Sequence, residues 1–329
     1  MHPRGICFTL EVTLMKGAPM PVIEVNNLVK TYDGSKVVDD VSFAVERGEI
    51  FGIVGPNGAG KTTIVESVEG LRRPDGGSIS VVGLDPIDDR YGLTELLGAQ
   101  LQESRLQDKI KVGEALELYA SFYHNPADWC ELLDRLGLGS KVDTRYSKLS
   151  GGQKQRLSIA LALVGSPEIA ILDELTTGLD PQARRSTWET IEQIRDAGVT
   201  VVLVTHFMDE AERLCDRIMV VDHGRVDAID SPAGLVEQIG AEQVLRFRPS
   251  VPISDEEFSA LPDVVTVRHN GPQIVIDGTG NVVHAVTSLL ARRGVIAQEL
   301  RVEQTSLEDA YLALTGEGGG PDNSDLETN

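Results

Sequence analysis

Cysteine is scarce. The 329-residue chain has three, Cys7, Cys130 and Cys215, far apart and in no spacing that fits a metal site or redox pair. A disulfide scaffold is excluded, and isolated thiols of this kind suit a reducing compartment. Positive charge is also short: 30 Lys and Arg face 51 Asp and Glu, a net charge of −21. That balance argues against a surface built to hold nucleic acid, which needs a basic footprint. Long apolar runs are missing as well. "VTVVLVT" and "IAIL" are strand-length, far below the roughly 20 apolar residues that cross a bilayer as a helix. The first residues, "MHPRGICFTLEVTLMKGAPM", scatter apolar side chains among Thr9, Glu11 and Lys16 and do not form a signal peptide. There is no internal repeat.

What is there is ordinary globular composition, 41% hydrophobic and 25% charged, in a chain long enough for two domains. Regular patterning begins near Pro21, so residues 1–20 read as a loose extension, with Met15 or Met20 equally able to begin the functional chain. "VIEVNNLVKTY" and "KVVDDVSFAVERG" predict strands of a β-rich entry segment. "EIFGIVG" predicts a short buried strand and "GKTTIVESVEGL" the helix after it. From about Asp85 to Ser147 the apolar spacing turns helical. A helix from Gly151, a strand "EIAILDE", a helix from Pro181 to Ala197, a strand "VTVVLVT" and a helix "FMDEAERL" follow. Alternating strands and helices predict an α/β domain over 21–240 with a mostly parallel sheet covered on both faces, its helical subdomain at about 85–165. After Gly240 the texture changes to short strands with two helices, the last "SLEDAYLALTG". Residues 241–316 thus predict a small, ferredoxin-like α+β unit, and the Gly-rich acidic tail 317–329 a disordered end.

"GPNGAGKTT", Gly55 to Thr63, fits G-x-x-x-x-G-K-[ST] between a predicted strand and helix. Backbone N–H groups of Gly55, Asn57, Gly58, Ala59 and Gly60, in a loop that Pro56 shapes without a donor of its own, can converge on phosphate oxygens, helped by the helix N-terminus. Lys61 would reach the β- and γ-phosphates, Thr62 would ligate Mg²⁺, and Thr63 would bond a nearer phosphate. A chance Gly-rich turn could match the pattern, but it would not come with downstream acids. In "IAILDE", four apolar residues place a central strand, so that Asp173 emerges at its end to hold Mg²⁺ through water. Glu174 would polarise the attacking water for in-line phosphoryl transfer. The bland reading of the two carboxylates is a helix cap.

A phosphate loop alone leaves the γ-phosphate open on one side. "LSGGQKQR" supplies a second anion-binding helix end: a hydroxyl on Ser150, unshielded N–H groups at Gly151 and Gly152, then a helix. Sequence separates this end from the chain's own cradle. A head-to-tail dimer, in which each second loop closes over the partner's nucleotide, resolves the geometry.

With these motifs in this order, the segment from about Val22 to Gly240 resembles the ATP-binding subunit of an ABC transporter. The resemblance implies a P-loop ATPase fold, ATP and Mg²⁺, and hydrolysis of ATP to ADP and phosphate. It implies that Ser150, Gly151, Gly152 and Gln153 contact ATP held by the partner copy, and that Tyr32, in "LVKTY", stacks on adenine. In "LGAQLQES" it implies that Gln102 senses Mg²⁺ and the attacking water, with Gln100 two residues before it as the alternative. In "TTGLD" it points to Asp180 as the link between the two ATP sites, and in "VLVTH" to His206 at the γ-phosphate. Taken alone, Tyr32 and His206 would be packing and strand-end residues. One departure stands out: Leu175 follows Glu174 where the family usually has proline, which bears on the rigidity of the next turn.

The leading expectation is an energy-coupling subunit on the cytoplasmic face of the cell membrane. It would drive separate membrane-spanning permease chains that dock on the helical region between Gln102 and Tyr146. "SLEDAYLALTG" resembles the end of subunits serving ABC-2-type exporters, the drug- and antibiotic-resistance group among them, which favours export. The rival is an ABC ATPase that transports nothing and acts in repair, chromosome structure or on ribosomes. Such relatives carry coiled coils, zinc insertions or tandem cassettes, none visible here. An inactive nucleotide-binding scaffold is disfavoured by intact Lys61, Asp173, Glu174 and His206.

Overall fold

A computed structural model describes residues 21–100, 106–240 and 243–315. The chain opens with strands β1 (Pro21–Tyr32), β2 (Ser35–Glu46) and β3 (Ile50–Val54) and helix α1 (Lys61–Val68). Strand β4 (Gly76–Val81), helix α2 (Arg90–Leu96), strand β5 (Leu97–Gln100) and helices α3 (Val112–Ala120), α4 (Trp129–Arg135) and α5 (Gly151–Leu163) follow. Strand β6 (Ile169–Asp173), helix α6 (Pro181–Asp196), strand β7 (Thr200–Thr205), helix α7 (Met208–Leu214), strands β8 (Arg217–Asp222) and β9 (Arg225–Asp230) and helix α8 (Pro232–Gln238) complete the larger unit.

Its central sheet has the order β5-β6-β7-β3-β8-β9. The first five strands run parallel, and β9 returns antiparallel to β8. Strands β3, β6 and β7 are buried at every residue, which is why they read as unbroken apolar runs and not as alternations. Alternation is still present, but between two cores. Phe51, Ile53, Ile169, Ile171, Val202 and Val204 point to one face, where they meet Ile23 and Val25 of β1 and Ile64 and Val68 of α1. Ile50, Val54, Ala170, Leu172, Val201 and Leu203 point to the other, where they meet Leu116 of α3, Leu133 of α4, Leu157 of α5 and Ile191 of α6. The period-2 geometry of a strand thus assigns one face to the antiparallel sheet β2-β1-β4 and the other to the helical layer. Functional loops leave the carboxyl ends of β3, β6 and β7, the edge where open α/β sheets bind ligands.

The stretch expected to be helical from Asp85 contains a strand. β5 is only four residues long and pairs in parallel with β6 at Leu97↔Ile169 through Gln100↔Leu172. Such a short buried segment has too few residues to show a period of its own, so sheet pairing decides its conformation.

The remaining elements are strand β10 (Gln243–Pro249), helix α9 (Asp255–Ser259), strands β11 (Val264–Asn270) and β12 (Gln273–Gly278), helix α10 (Val282–Arg293), strand β13 (Ala297–Gln304) and helix α11 (Leu307–Leu314). The sheet order β11-β12-β10-β13, antiparallel throughout, is the ferredoxin-like β-α-β-β-α-β arrangement. Phe247 and Phe258 meet edge to face with ring centroids 5.9 Å apart at the centre of its own core. Helix α11 departs from the sequence expectation that grouped it with this unit. It packs on α8 and α7, and Leu307 and Tyr311 are buried in the helical-layer core of the larger unit. The chain therefore leaves the six-stranded sheet, builds the small unit, and returns to the α7–α8 surface.

Candidate active site

The cradle forms because β3 runs straight into a position that can carry no side chain, Gly55. A Cβ on Gly55 would lie 2.2 Å from the Val221 carbonyl oxygen, so only glycine lets the loop leave the sheet there. Gly58 and Gly60 have φ of 87° and 100°, the left-handed region that glycine occupies without steric cost. Gly60 stands at the N-cap of α1 with no side chain to cap it, and the first turn holds no acid. The opening N–H groups of α1 are thereby left for an external anion. Asn57 and Gly58 are exposed, as is Thr62, while Ala59 is buried, and Pro56 and Thr63 are half-buried.

Lys61 is buried, and its Nζ donates to the carbonyls of Gly55 at 2.8 Å and Pro56 at 2.9 Å. Burial pulls its pKa down, opposed by Glu174 and then Asp173. Asp173 closes β6 with its carboxyl buried. Burial first, then the neighbouring Glu174, pushes its pKa up to about 6; Lys61 opposes the rise and Glu66 adds to it. An ammonium and two carboxylates thus converge at the open end of a helix dipole, a donor set that fits a phosphate chain and its divalent cation. Among the described residues no group of three or more His, Cys, Asp or Glu side chains could hold a metal ion alone.

Glu174 has φ 47°, an uncommon conformation for a residue with a side chain. The N–H of Glu174 donates to the Val204 carbonyl at 2.9 Å, which fixes the residue against the end of β7. His206, one residue past β7, then brings Nδ1 to 3.3 Å from Glu174 Oε1. No sequence signal announces the φ of Glu174. Nor does any sequence pattern mark Arg184, which lies over the Phe207 ring at 4.7 Å and pairs with Asp209 at 3.1 Å, bracing the loop that carries His206. Leu175, at the position of the family's proline, is fully buried in the helical-layer core.

Ser150 caps α5. Its Oγ accepts from Gln153 N at 3.3 Å while Gln153 Oε1 accepts from Ser150 N at 3.0 Å, a reciprocal capping box. Gln153 is thus turned back on its own helix. Asp180 caps α6 by accepting from Gln182 N at 3.0 Å and Ala183 N at 2.9 Å. The two helix starts share a cleft of about 310 Å³ lined by Ser150, Gly151, Gly152, Gly178, Asp180 and Ala183 among others, with no cradle residue in its wall. The fold brings together Lys61, Asp173, Glu174 and His206 in one group, and Ser150 to Gly152 with Asp180 in another. Tyr32 stands apart at the end of β1, half-buried, with Lys30 Nζ 5.6 Å and the Arg72 guanidinium 5.5 Å from its ring centre. Gln100 is buried at the end of β5, beside Leu172 of β6. Gln102 lies outside the described residues.

Comparison with known proteins agrees with this geometry. Residues 38–177 match the ABC transporter family. The chain is 38% identical over 308 residues to a Nod factor export ATP-binding protein I of Paraburkholderia xenovorans (strain LB400), covering 91% of this chain and 98% of that protein. A solved structure of an ATP-binding subunit of an ABC transporter superposes with a TM-score of 0.61 at 30% identity, over 67% of this chain and 93% of that one. Another, an ATP-binding cassette seen as a dimer in a post-hydrolysis state with ADP and Pi, gives 0.58 at 25% identity, over 64% and 98%. Relatives and folds of this kind bind ATP with Mg²⁺ and hydrolyse it. No helix among the described residues is long and apolar enough to cross a membrane. With a phosphate cradle, adjoining acids and a second glycine helix start in this order on this sheet, the chain belongs to the ATP-binding subunits of ABC transporters.

Proposed function

We propose that two copies of this chain sandwich two ATP molecules head to tail on the cytoplasmic face of the cell membrane, and that their closure and opening drive export through separate permease subunits. The observation that carries the reading is the placement of Ser150, Gly151 and Gly152. They sit beside Asp180 in a cleft with no cradle residue in its wall, which supports a second molecule bringing these donors to a γ-phosphate.

In this reading the residues divide the work. Backbone N–H groups of Gly55 and of Asn57 to Gly60, in the loop that Pro56 shapes, hold the phosphate chain with Lys61, and Thr63 bonds a nearer phosphate. Thr62 and Asp173 would hold Mg²⁺, and the resemblance gives Gln102 the part of sensing it and the attacking water. Mg²⁺ supplies charge neutralisation at the phosphate oxygens. Glu174 accepts a hydrogen bond from the attacking water, aligning its oxygen with the γ-phosphorus as the bond to the ADP oxygen breaks. His206 steadies both the Glu174 carboxylate and the γ-phosphate. Tyr32 stacks on adenine. Ser150, Gly151, Gly152 and Gln153 contact the partner's nucleotide, the capping box between Ser150 and Gln153 sets the geometry of that helix start, and Asp180 links the two sites.

Export is supported by the Nod factor export function named for the relatives at 38% identity. Cargo is then a small molecule or lipid; the resemblance of the closing segment to drug- and antibiotic-resistance exporters makes a drug-like molecule the narrower reading. The helical face carries exposed Leu118 and Phe122 beside a pocket lined by Tyr119, Tyr123 and Tyr146, an apolar and aromatic surface suited to a permease. Co-purification from native membranes in mild detergent tests the whole reading. An integral membrane exporter partner is expected; recovery with ribosomes or DNA and no membrane protein would overturn it in favour of a non-transport ATPase.

A further inference from the structure

We infer that Arg72 is a positioning residue for the Tyr32 ring, and that its ion pair with Glu66 ties the base-binding end of the site to the helix that starts at the phosphate cradle. The inference rests on the reading of Tyr32 as the adenine platform.

Tyr32 ends β1, where strand pairing alone leaves an aromatic ring free to rotate. Two cations restrain it. The Arg72 guanidinium carbon lies 5.5 Å from the ring centre and Lys30 Nζ 5.6 Å, both within cation–π range. Lys30 Nζ also donates to the Arg73 carbonyl and to Asp75 Oδ1, each at 2.9 Å, in the segment that carries Arg72. The Thr31 N–H donates to Asp75 Oδ2 at 2.7 Å and fixes the strand residue before the ring. Buttressed from that segment, the ring is held in one orientation to meet a base.

Arg72 is held in turn by Glu66. Its Nε donates to Glu66 Oε2, and its backbone N–H donates to the Glu66 carbonyl at 3.0 Å. Glu66 lies in α1, the helix that begins with Lys61. A planar guanidinium can satisfy a carboxylate along its edge and an aromatic ring with its face at once, which an ammonium cannot. The chain of contacts runs from the cradle helix through Glu66 and Arg72 to Tyr32. Adenine stacking and phosphate binding thereby share one support, although Arg72 meets neither. Its side chain is 41% exposed, so solvent moderates the effect.

Steady-state ATPase kinetics on the full chain test this. Arg72→Gln is expected to raise KM for ATP roughly two- to five-fold, the scale of an exposed cation–π contact, with kcat within about twofold of wild type. Glu66→Gln releases Arg72 and moves KM the same way by less, and Arg72→Lys falls between wild type and Arg72→Gln. In a Tyr32→Ala background, adding Arg72→Gln produces no further rise. A fall in kcat with KM unmoved, or an equal rise in KM without the Tyr32 ring, would overturn the role given to Arg72. An unchanged KM in Tyr32→Ala alone would instead overturn the platform reading, and the Arg72 assignment with it.

Discussion

His206 Nδ1 lies 3.3 Å from Glu174 Oε1, at the adjacent carboxyl ends of two parallel strands. The contact joins the residue proposed to align water with the residue proposed to meet the γ-phosphate. It exists because the Glu174 N–H is bonded to Val204 and its backbone turns into the left-handed region.

Removing the charge from that carboxylate separates binding from turnover. Glu174→Gln keeps the shape and the contact with His206 but loses the acceptor strength that general-base alignment needs. We expect kcat to fall by about 100-fold or more, while ATP still binds and an ATP-bound dimer accumulates on size-exclusion chromatography. Normal turnover would remove Glu174 from its role.

The second helix start has its own test. Ser150→Arg removes the cap hydroxyl and sets a long side chain where the partner's nucleotide would sit. ATPase activity should be lost while nucleotide binding to the monomer, followed by fluorescence of a labelled ATP, stays near wild type. Unchanged activity would refute the assignment across the dimer.

Glu69 gives a pH-dependent prediction. It is buried, and that burial first, then Glu66 and Asp173, raises its pKa from 4.5 to about 7. A carboxyl whose folded pKa exceeds its unfolded value favours the fold fully below about pH 4.5. That favour is lost as pH rises through about 7. Glu69→Gln, which cannot ionise, should therefore stabilise the protein by about 1–3 kcal/mol at pH 8 and change little at pH 4.5. Urea unfolding at the two pH values reads the difference; equal effects at both would show that the charge is not what burial penalises.

Helix α11 should matter to the ATPase unit more than to its sequence neighbours. Tyr311→Ala opens a hole in the core beneath α7 and α8 and should cost about 3–5 kcal/mol, the range for large aromatic truncations. Phe258→Ala should instead loosen the ferredoxin-like core. Hydrogen exchange distinguishes the two, with protection lost in β3 and β7 for the first and in β10 and β12 for the second.

Much of this was legible in the residues. Buried runs such as "IAIL" and "VVLV" could be little but central parallel strands, and GPNGAGKTT needed only its place between strand and helix. The pairing of Ser150 with Gln153 was less legible, since the glutamine was expected on ATP and its capping role is a matter of local hydrogen bonding. β5 was hidden by brevity. The return of α11 to the ATPase core was hidden for another reason: an apolar stripe such as Leu307 with Tyr311 states that a face is buried, not which partner buries it. The φ of Glu174 and the Arg72–Tyr32 contact are tertiary facts with no local pattern to betray them.

The central claim is that neither copy holds a complete reaction centre. Specific ATPase activity measured across protein concentration, at saturating ATP and Mg²⁺, tests it most directly. Activity per molecule should climb steeply with concentration and level off once dimers dominate. A flat line reaching down to strictly monomeric protein would contradict it.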